Sequence, residues 1–190
     1  LNVVGITGSN GKTIVKEWIN HLLEKSFSIV RSPKSYNSQI GVPLSVLEIR
    51  PTNNLAIFEA GISTTGEMKK LEKIIQPTIG IFTNVGNAHD EGFKSRKQKI
   101  NEKLILFQHA KYLIFNADDA AVAHEIRLFK LKYQHVQLLN WGMKGENNLQ
   151  IKSIRKHHLS GSIEVVFQRK RMKIEIPFSD DASIQNALHC

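Results

Sequence analysis

Residues 3–13 constrain the fold of this chain more than any other stretch: Val3-Val4-Gly5-Ile6-Thr7-Gly8-Ser9-Asn10-Gly11-Lys12-Thr13. An apolar run suited to a buried strand passes into a glycine-punctuated loop. Gly-Lys-Thr then opens a stretch with apolar residues at helical spacing: Ile14, Trp18, Ile19, Leu22 and Leu23. Strand, loop and helix in that order bring backbone N–H groups, a helix N-terminus and a lysine charge to one point, as phosphate oxygens require. Gly8, Ser9, Asn10, Gly11, Lys12 and Thr13 are therefore candidate phosphate ligands, with the Thr13 hydroxyl where Mg²⁺ coordination is expected. The spelling is unusual: the common pattern has glycine where Ile6 stands, and here the glycines fall at 5, 8 and 11.

A chain of 190 residues, 41% hydrophobic, holds one large domain or one domain with a small subdomain. No run approaches the roughly 20 apolar residues of a membrane span, and no cleavable signal peptide precedes the first strand. The single cysteine, Cys190, rules out an intramolecular disulfide framework and fits a reducing compartment, so a cytoplasmic location is expected. The formal charge of +9 is concentrated in residues 94–103 and 152–173. Two solvated surfaces are the plainer reading. The second cluster alternates with apolar residues and carries no aromatic series for stacking bases, so no nucleic-acid partner is expected. An anionic small substrate would also suit the positive field. The chain opens on a core strand and closes, at 183–190, on a helix that has barely begun. A piece of a longer protein is the expectation.

Periodicity predicts a helix over 13–25, a strand at 27–31, a turn-rich segment at 32–38 and a short helix with Pro43 in its first turn. A buried strand at 55–60 ends in Glu59-Ala60, a helix covers 66–76, and Pro77 stops it. A strand at 79–83 leads into a polar loop at 84–92 and a long helix over 95–108. A strand at 112–115, a helix capped by Asp118 and running to about 129, and a strand at 136–140 follow. The alternation predicts an α/β fold with a mostly parallel sheet and helices on both faces, spanning 1–145. Three strand-like runs at 149–154, 161–168 and 170–178, with no helix between them, predict a small antiparallel sheet over 146–180. Residues 181–190 begin the final helix.

In open parallel sheets ligands sit beyond the carboxyl ends of the strands. Glu59 closes an otherwise apolar strand, and beside the glycine loop it reads as a Mg²⁺ ligand. His89, in a polar loop after a neighbouring strand, is either simply exposed or a metal ligand. Asn116 to Asp119 close another strand.

Together these residues resemble the Mur ligases, ATP-dependent amide ligases of peptidoglycan precursor synthesis. The Thr-Gly-Ser-Asn-Gly-Lys-Thr loop is similar to theirs, and further matches follow in order. They are Tyr36-Asn37-Ser38-Gln39-Ile40-Gly41-Val42-Pro43-Leu44, Phe58-Glu59-Ala60-Gly61 with Gly66-Glu67-Met68, and Thr83-Asn84-Val85-Gly86-Asn87-Ala88-His89-Asp90-Glu91-Gly92-Phe93. Glu102-Lys103-Leu104-Ile105-Leu106-Phe107 and Asn116-Ala117-Asp118-Asp119 complete the series. The resemblance covers the whole chain as the family's central ATPase domain, without the domains that precede and follow it. The Gly-Val-Pro-Leu and Ala-His-x-Glu-Gly-Phe runs look most like the branch that adds D-alanyl-D-alanine to a UDP-muramoyl tripeptide. One departure stands at 182–188, where the family's histidine before the Asn-Ala-Leu run is missing, though Asn186 matches its asparagine.

The resemblance implies that ATP phosphorylates a peptide carboxylate, and that the incoming amine attacks the resulting acyl phosphate. It assigns the phosphates to Lys12 and the loop amides, and a first Mg²⁺ to Thr13 and Glu59. A second Mg²⁺ goes to His89 and a carbamylated Lys103, with Lys12, His89 and Lys103 the catalytic set. Lys103 is preferred to Lys97 and Lys99 because it alone stands in the Lys-Leu-x-x-Phe frame. Asn116, Asp119 and Asn186 are assigned to the adenine side. The implied partners are the UDP-muramoyl peptide and D-alanyl-D-alanine, with the protein a monomer. Another Mur-type or folylpolyglutamate-type amide ligase, or a P-loop ATPase with a polyanionic partner, are the alternatives.

Overall fold

The computed structural model describes residues 1–86 and 92–190. Among them, nine strands form a single sheet in the order β2-β3-β1-β4-β5-β6-β7-β8-β9. The parallel part comprises β1 (Asn2–Thr7), β2 (Ile29–Arg31), β3 (Leu55–Ala60), β4 (Ile79–Phe82), β5 (Tyr112–Asn116) and β6 (Gln137–Gly142). The helices between them are α1 (Lys12–Leu23), α2 (Gly41–Val46), α3 (Glu67–Ile75), α4 (Arg96–Leu104) and α5 (Ala120–Lys132). From β1 the chain moves outward to β2, and every later crossover runs the other way. Right-handed crossovers put the connecting helix on the opposite face when the direction reverses. Thus α1 packs on one face through Val15 and Ile19 against Val4, Ile6, Ile57 and Ile81. The other face is covered by α3, α4 and α5 through residues such as Leu71, Ile100 and Ile126. The reversal falls between β1 and β4, which is where an open sheet offers a ligand crevice.

The α/β fold matches the sequence expectation, with local corrections. The helix expected over 13–25 begins at Lys12 and ends at Leu23. The strand expected at 27–31 is only Ile29–Arg31. The long helix expected over 95–108 ends at Leu104 and tightens into a 3₁₀ turn, Ile105–Phe107. The cap of α5 is Asp119, which accepts from the Val122 amide at 3.2 Å. Asp118 instead accepts from the amides of Met143 and Lys144, both at 2.8 Å, and so closes the turn after β6.

The three C-terminal strands, β7 (Leu149–Lys156), β8 (Gly161–Phe167) and β9 (Lys170–Ile176), are antiparallel to one another as expected. They do not form a sheet apart, because β7 pairs in parallel with β6 through Trp141 and Leu149. A third apolar cluster joins Trp141, Ile151, Ile163 and Val165 to Ile184 and Leu188 of α6 (Asp181–Leu188). Trp18 of α1 stacks on Phe178 at 4.7 Å, fixing this extension to the phosphate-loop helix. The exposed basic residues of β9 lie on an edge strand, where charge opposes pairing with another chain.

Close packing on the α3/α4 face depends on Gly80, where an added Cβ would lie 2.4 Å from the ring of the fully buried Phe107. Gly80→Ala is expected to destabilise the protein by about 2 kcal/mol, the usual scale of core overpacking. A fall in the urea midpoint at unchanged slope checks it.

Candidate active site

The loop between β1 and α1 is shaped by its neighbour β4. Asn84 accepts from the amide of Ser9 through its carbonyl (2.7 Å) and from that of Asn10 through its side chain (3.1 Å). The Thr83 hydroxyl donates to the Asn10 carbonyl at 2.7 Å, and the Gly86 amide donates to Ser9 Oγ at 3.2 Å. Gly8 has no room for a side chain, since a Cβ would lie 1.9 Å from Thr83 Oγ1. Gly11, at the helix N-cap, has φ +83°, and a Cβ there would meet Asn186 Oδ1 at 2.2 Å. No side chain caps α1, so its first-turn amides and dipole are available to an anion. The expected phosphate ligands Gly8 to Thr13 are thus brought together.

Pleating decides where Glu59 points. It shares a face of β3 with Leu55 and Ile57, the face covered by α1, and there it meets residues on one side of that helix. Glu59 is fully buried, and its Oε2 accepts from the Thr13 hydroxyl at 2.9 Å. Its Oε1 lies 2.9 Å from Lys16 Nζ without the alignment of a hydrogen bond. The Thr13 hydroxyl and Glu59 Oε2, side by side, are a hard-oxygen pair that fits a divalent cation. Thr13 and Glu59 are therefore together as expected. His89, the other proposed metal residue, lies outside the described residues. Among those described, no group of three His, Cys, Asp or Glu side chains forms a metal cluster.

A cleft of about 640 Å³ opens beside the loop, lined by Gly8, Ser9, Lys12, Asn37, Lys99 and Lys103 among others. Lys12 folds back on the loop, donating to the carbonyls of Gly8 (2.9 Å) and Ser9 (3.2 Å). Lys103 donates to that same Gly8 carbonyl at 3.2 Å. Burial holds the Lys12 ammonium below its ordinary range, with Glu59 opposing this and Lys99 adding to it. Lys97 points away and pairs with Glu125 at 3.5 Å. The 94–103 cluster is therefore not a solvated face throughout, because the i,i+4 pair Lys99 and Lys103 is buried at the cleft.

On the other side of the loop two clefts share Asn84 and Gln185. One is lined by Asn116, Asp119 and Arg96, the other by Asn10, Gly11, Ile14 and Asn186. Asn116 and Asp119 are thus separated from Asn186, although all three flank the same region. Asn116 Oδ1 accepts from the Asp118 amide at 2.8 Å. Arg96 bonds Asp119 Oδ2 at 2.5 Å and the Val85 carbonyl at 3.1 Å, linking α4, the β4 exit and the cap of α5. From the stretch 182–188, where the family's histidine is missing, Ala182, Gln185 and Asn186 line the cleft. The histidine that is present, His189, is buried behind it. Its Nε2–H donates to the Thr83 carbonyl at 3.0 Å, and Nδ1 accepts from Trp141 Nε1–H at 3.3 Å.

Sequence reasoning missed Lys16, Asn84, Arg96 and His189, and set Lys99 aside in favour of Lys103. The i,i+3 spacing of Thr13 and Lys16, and the i,i+4 spacing of Lys99 and Lys103, were signals that could have placed two of them.

The geometry has close relatives. The family model described as Mur ligase middle domain matches residues 6–190. The UDP-N-acetylmuramoyl-tripeptide--D-alanyl-D-alanine ligase of Borreliella burgdorferi is 31% identical over 98% of this chain and 39% of its own length. The ligase of the same name from Treponema pallidum is 34% identical over 97% of this chain and 39% of its own. The crystal structure of MurF ligase from Thermotoga maritima in complex with ADP superposes with a TM-score of 0.84 at 26% identity, covering 99% of this chain and 43% of that one. The chain thus spans about two-fifths of the length of these relatives.

Burial lowers the pKa of His189 from 6.5 to about 4, its bond to Thr83 opposing the shift. The unfolded chain therefore binds a proton at higher pH than the fold does, and stability falls as pH drops from 6.5 towards 4, by up to about 3 kcal/mol. His189→Gln is expected to flatten this part of a stability–pH curve measured by urea unfolding.

Proposed function

Because the chain belongs to the Mur ligase middle-domain family, we propose that it is the ATP-handling domain of a ligase joining D-alanyl-D-alanine to a UDP-N-acetylmuramoyl-tripeptide. The observation that carries this is the convergence of Lys12 and Lys103 on one carbonyl of the phosphate loop, with Lys99 lining the same cleft. Two ammonium groups sharing a carbonyl repel each other, and a polyphosphate beside Lys12 together with carbamylation of Lys103 would relieve that repulsion.

A carboxylate attacking a γ-phosphate is opposed by charge repulsion, so positioning and neutralisation carry the catalysis. The first-turn amides of α1 and Lys12 would hold the β- and γ-phosphates. Thr13 and Glu59 would hold a Mg²⁺ ion, which neutralises phosphate charge when bound. Asn116, Asp119 and Asn186 would border the adenosine. Lys103, with His89, would face the acceptor carboxylate. Carbamylation of Lys103 would turn a crowded cation into an anionic oxygen ligand for a second Mg²⁺. The preceding and following domains of the parent chain would hold the uridine nucleotide and deliver the amine. No helix among the described residues is long and apolar enough to cross a membrane. The parent enzyme would be cytoplasmic and monomeric.

Phosphate release by the full-length protein tests the assignment. Release is expected only with both UDP-muramoyl tripeptide and D-alanyl-D-alanine, and product from pteroyl glutamate would overturn it. Lys103→Ala should lower ligation by roughly 100-fold or more, the scale of losing a group that stabilises developing charge. Partial recovery with added short carboxylates is expected for a carbamate, and undiminished activity rejects a catalytic Lys103.

A further inference from the structure

Lys16 has no part in the scheme above, yet it is among the most completely buried side chains, with no exposed surface. Its ammonium lies 2.9 Å from Glu59 Oε1 and 3.1 Å from Glu17 Oε1. It also donates to the carbonyl of Ser32 at 2.7 Å and to that of Lys34. A compact three-donor ammonium surrounded by four oxygens is fully employed and cannot reach into the cleft. Its effect must pass through the groups it holds.

Those groups are two. Glu59 is fully buried, and its Oε2 accepts from the Thr13 hydroxyl while its Oε1 takes part in no hydrogen bond. Lys16 supplies the opposing charge on the oxygen that Thr13 does not touch. The second group is the turn after β2. Ser32 is bonded to β3 through its amide to Ile57 (3.1 Å) and through its hydroxyl from the Glu59 amide (3.3 Å). Beyond Lys34 the chain continues to Asn37 and Ser38, which line the lysine-rich cleft, and the Asn37 carbonyl accepts from the Gly61 amide at 2.8 Å.

We propose that Lys16 is a positioning residue of this site: from beneath the phosphate-loop helix it holds Glu59 Oε1 and so aims Oε2 at Thr13, and it ties the cleft wall at 32–38 to the same helix. The inference rests on the nucleotide-and-cation reading of Thr13 and Glu59, not on which acceptor is ligated.

ADP binding to the full-length protein, measured by calorimetry with and without Mg²⁺, separates this from a merely structural role. Lys16→Met is expected to reduce the Mg²⁺-dependent gain in ADP affinity by roughly 10–100-fold, the usual effect of losing a residue that orients a metal ligand. Affinity without Mg²⁺ should stay within about twofold, because the phosphate loop itself is unchanged. Glu59→Gln should abolish the gain, and adding Lys16→Met to it should cost nothing further. An undiminished gain in Lys16→Met, or additive losses in the two variants, overturns the proposal. Should Lys16→Met fail to fold, the double variant decides. Removing both charges is expected to restore folding, and a double variant that also fails to fold overturns the link to Glu59. A wild-type protein without any Mg²⁺-dependent gain overturns the cation reading and this inference together, whereas the choice of acceptor in the phosphate-release assay leaves it standing.

Discussion

The site depends on one backbone alignment, the seating of the phosphate loop against the exit of β4. Glycine loops are entropically expensive to order. This one is held at three consecutive residues: Gly8 by close approach, Ser9 and Asn10 by hydrogen bonds from or to Thr83 and Asn84. Thr83 is itself gripped from behind by His189, which Trp141 orients. The C-terminal helix thus acts on the loop twice, through His189 on Thr83 and through Asn186 packed on Gly11. A segment 170 residues away in sequence sets the geometry of the first turn of α1.

Charge is the second organising constraint. The chain places Lys12, Lys99 and Lys103 around one cleft while Lys16 and Glu59 lie buried below it. The upper cations line a space that an anionic ligand could enter. The lower pair is internally matched and dry. The separation matters because a lysine that neutralises Glu59 from below leaves the Thr13 side of the carboxylate for a cation. Were the upper lysines to reach Glu59 instead, the carboxylate would be consumed by ion pairing.

The strand–loop–helix at 3–13 was readable because the phosphate motif needs particular residue types at fixed offsets. The same holds for Glu59, whose place at the end of an apolar strand left few alternatives. Elements with strong periodicity, such as β3 and α3, were read nearly to the residue. Asp118 and Asp119 were exchanged as the cap of α5, since adjacent acids have equal capping propensity and only the path of the turn after β6 decides between them. The continuity of β7–β9 with the main sheet was not legible, because parallel pairing of β6 with β7 rests on two residue pairs that no local pattern marks. Lys16 was hidden for a different reason. A lysine on an amphipathic helix ordinarily reads as solvated, and only the pleat of β3 brings Glu59 beneath it. Lys99 was set aside because a sequence frame selects one lysine, while a helix face presents two.

The displaced glycines of the loop have a structural cause. At the position where the common spelling has glycine, Ile6 is fully buried in the α1 face of the sheet, packed with Val15 and Ile57. Its strand is still paired there, with Ile6 opposite Glu59 on one side and Ile81 on the other. The turn therefore starts later, after Thr7, whose hydroxyl donates to the Ala60 carbonyl at 2.8 Å and holds the two strand ends level. With the strand extended by one residue past Ile6, the first close approach of loop backbone to β4 falls at Gly8, and the left-handed turn into the helix falls at Gly11. Extending β1 this far has a consequence for the chemistry: it brings the phosphate loop level with Glu59, so that Thr13, the second residue of α1, meets the carboxylate directly. A loop that left the strand earlier would set its threonine lower along β3, against Ile57 instead of Glu59.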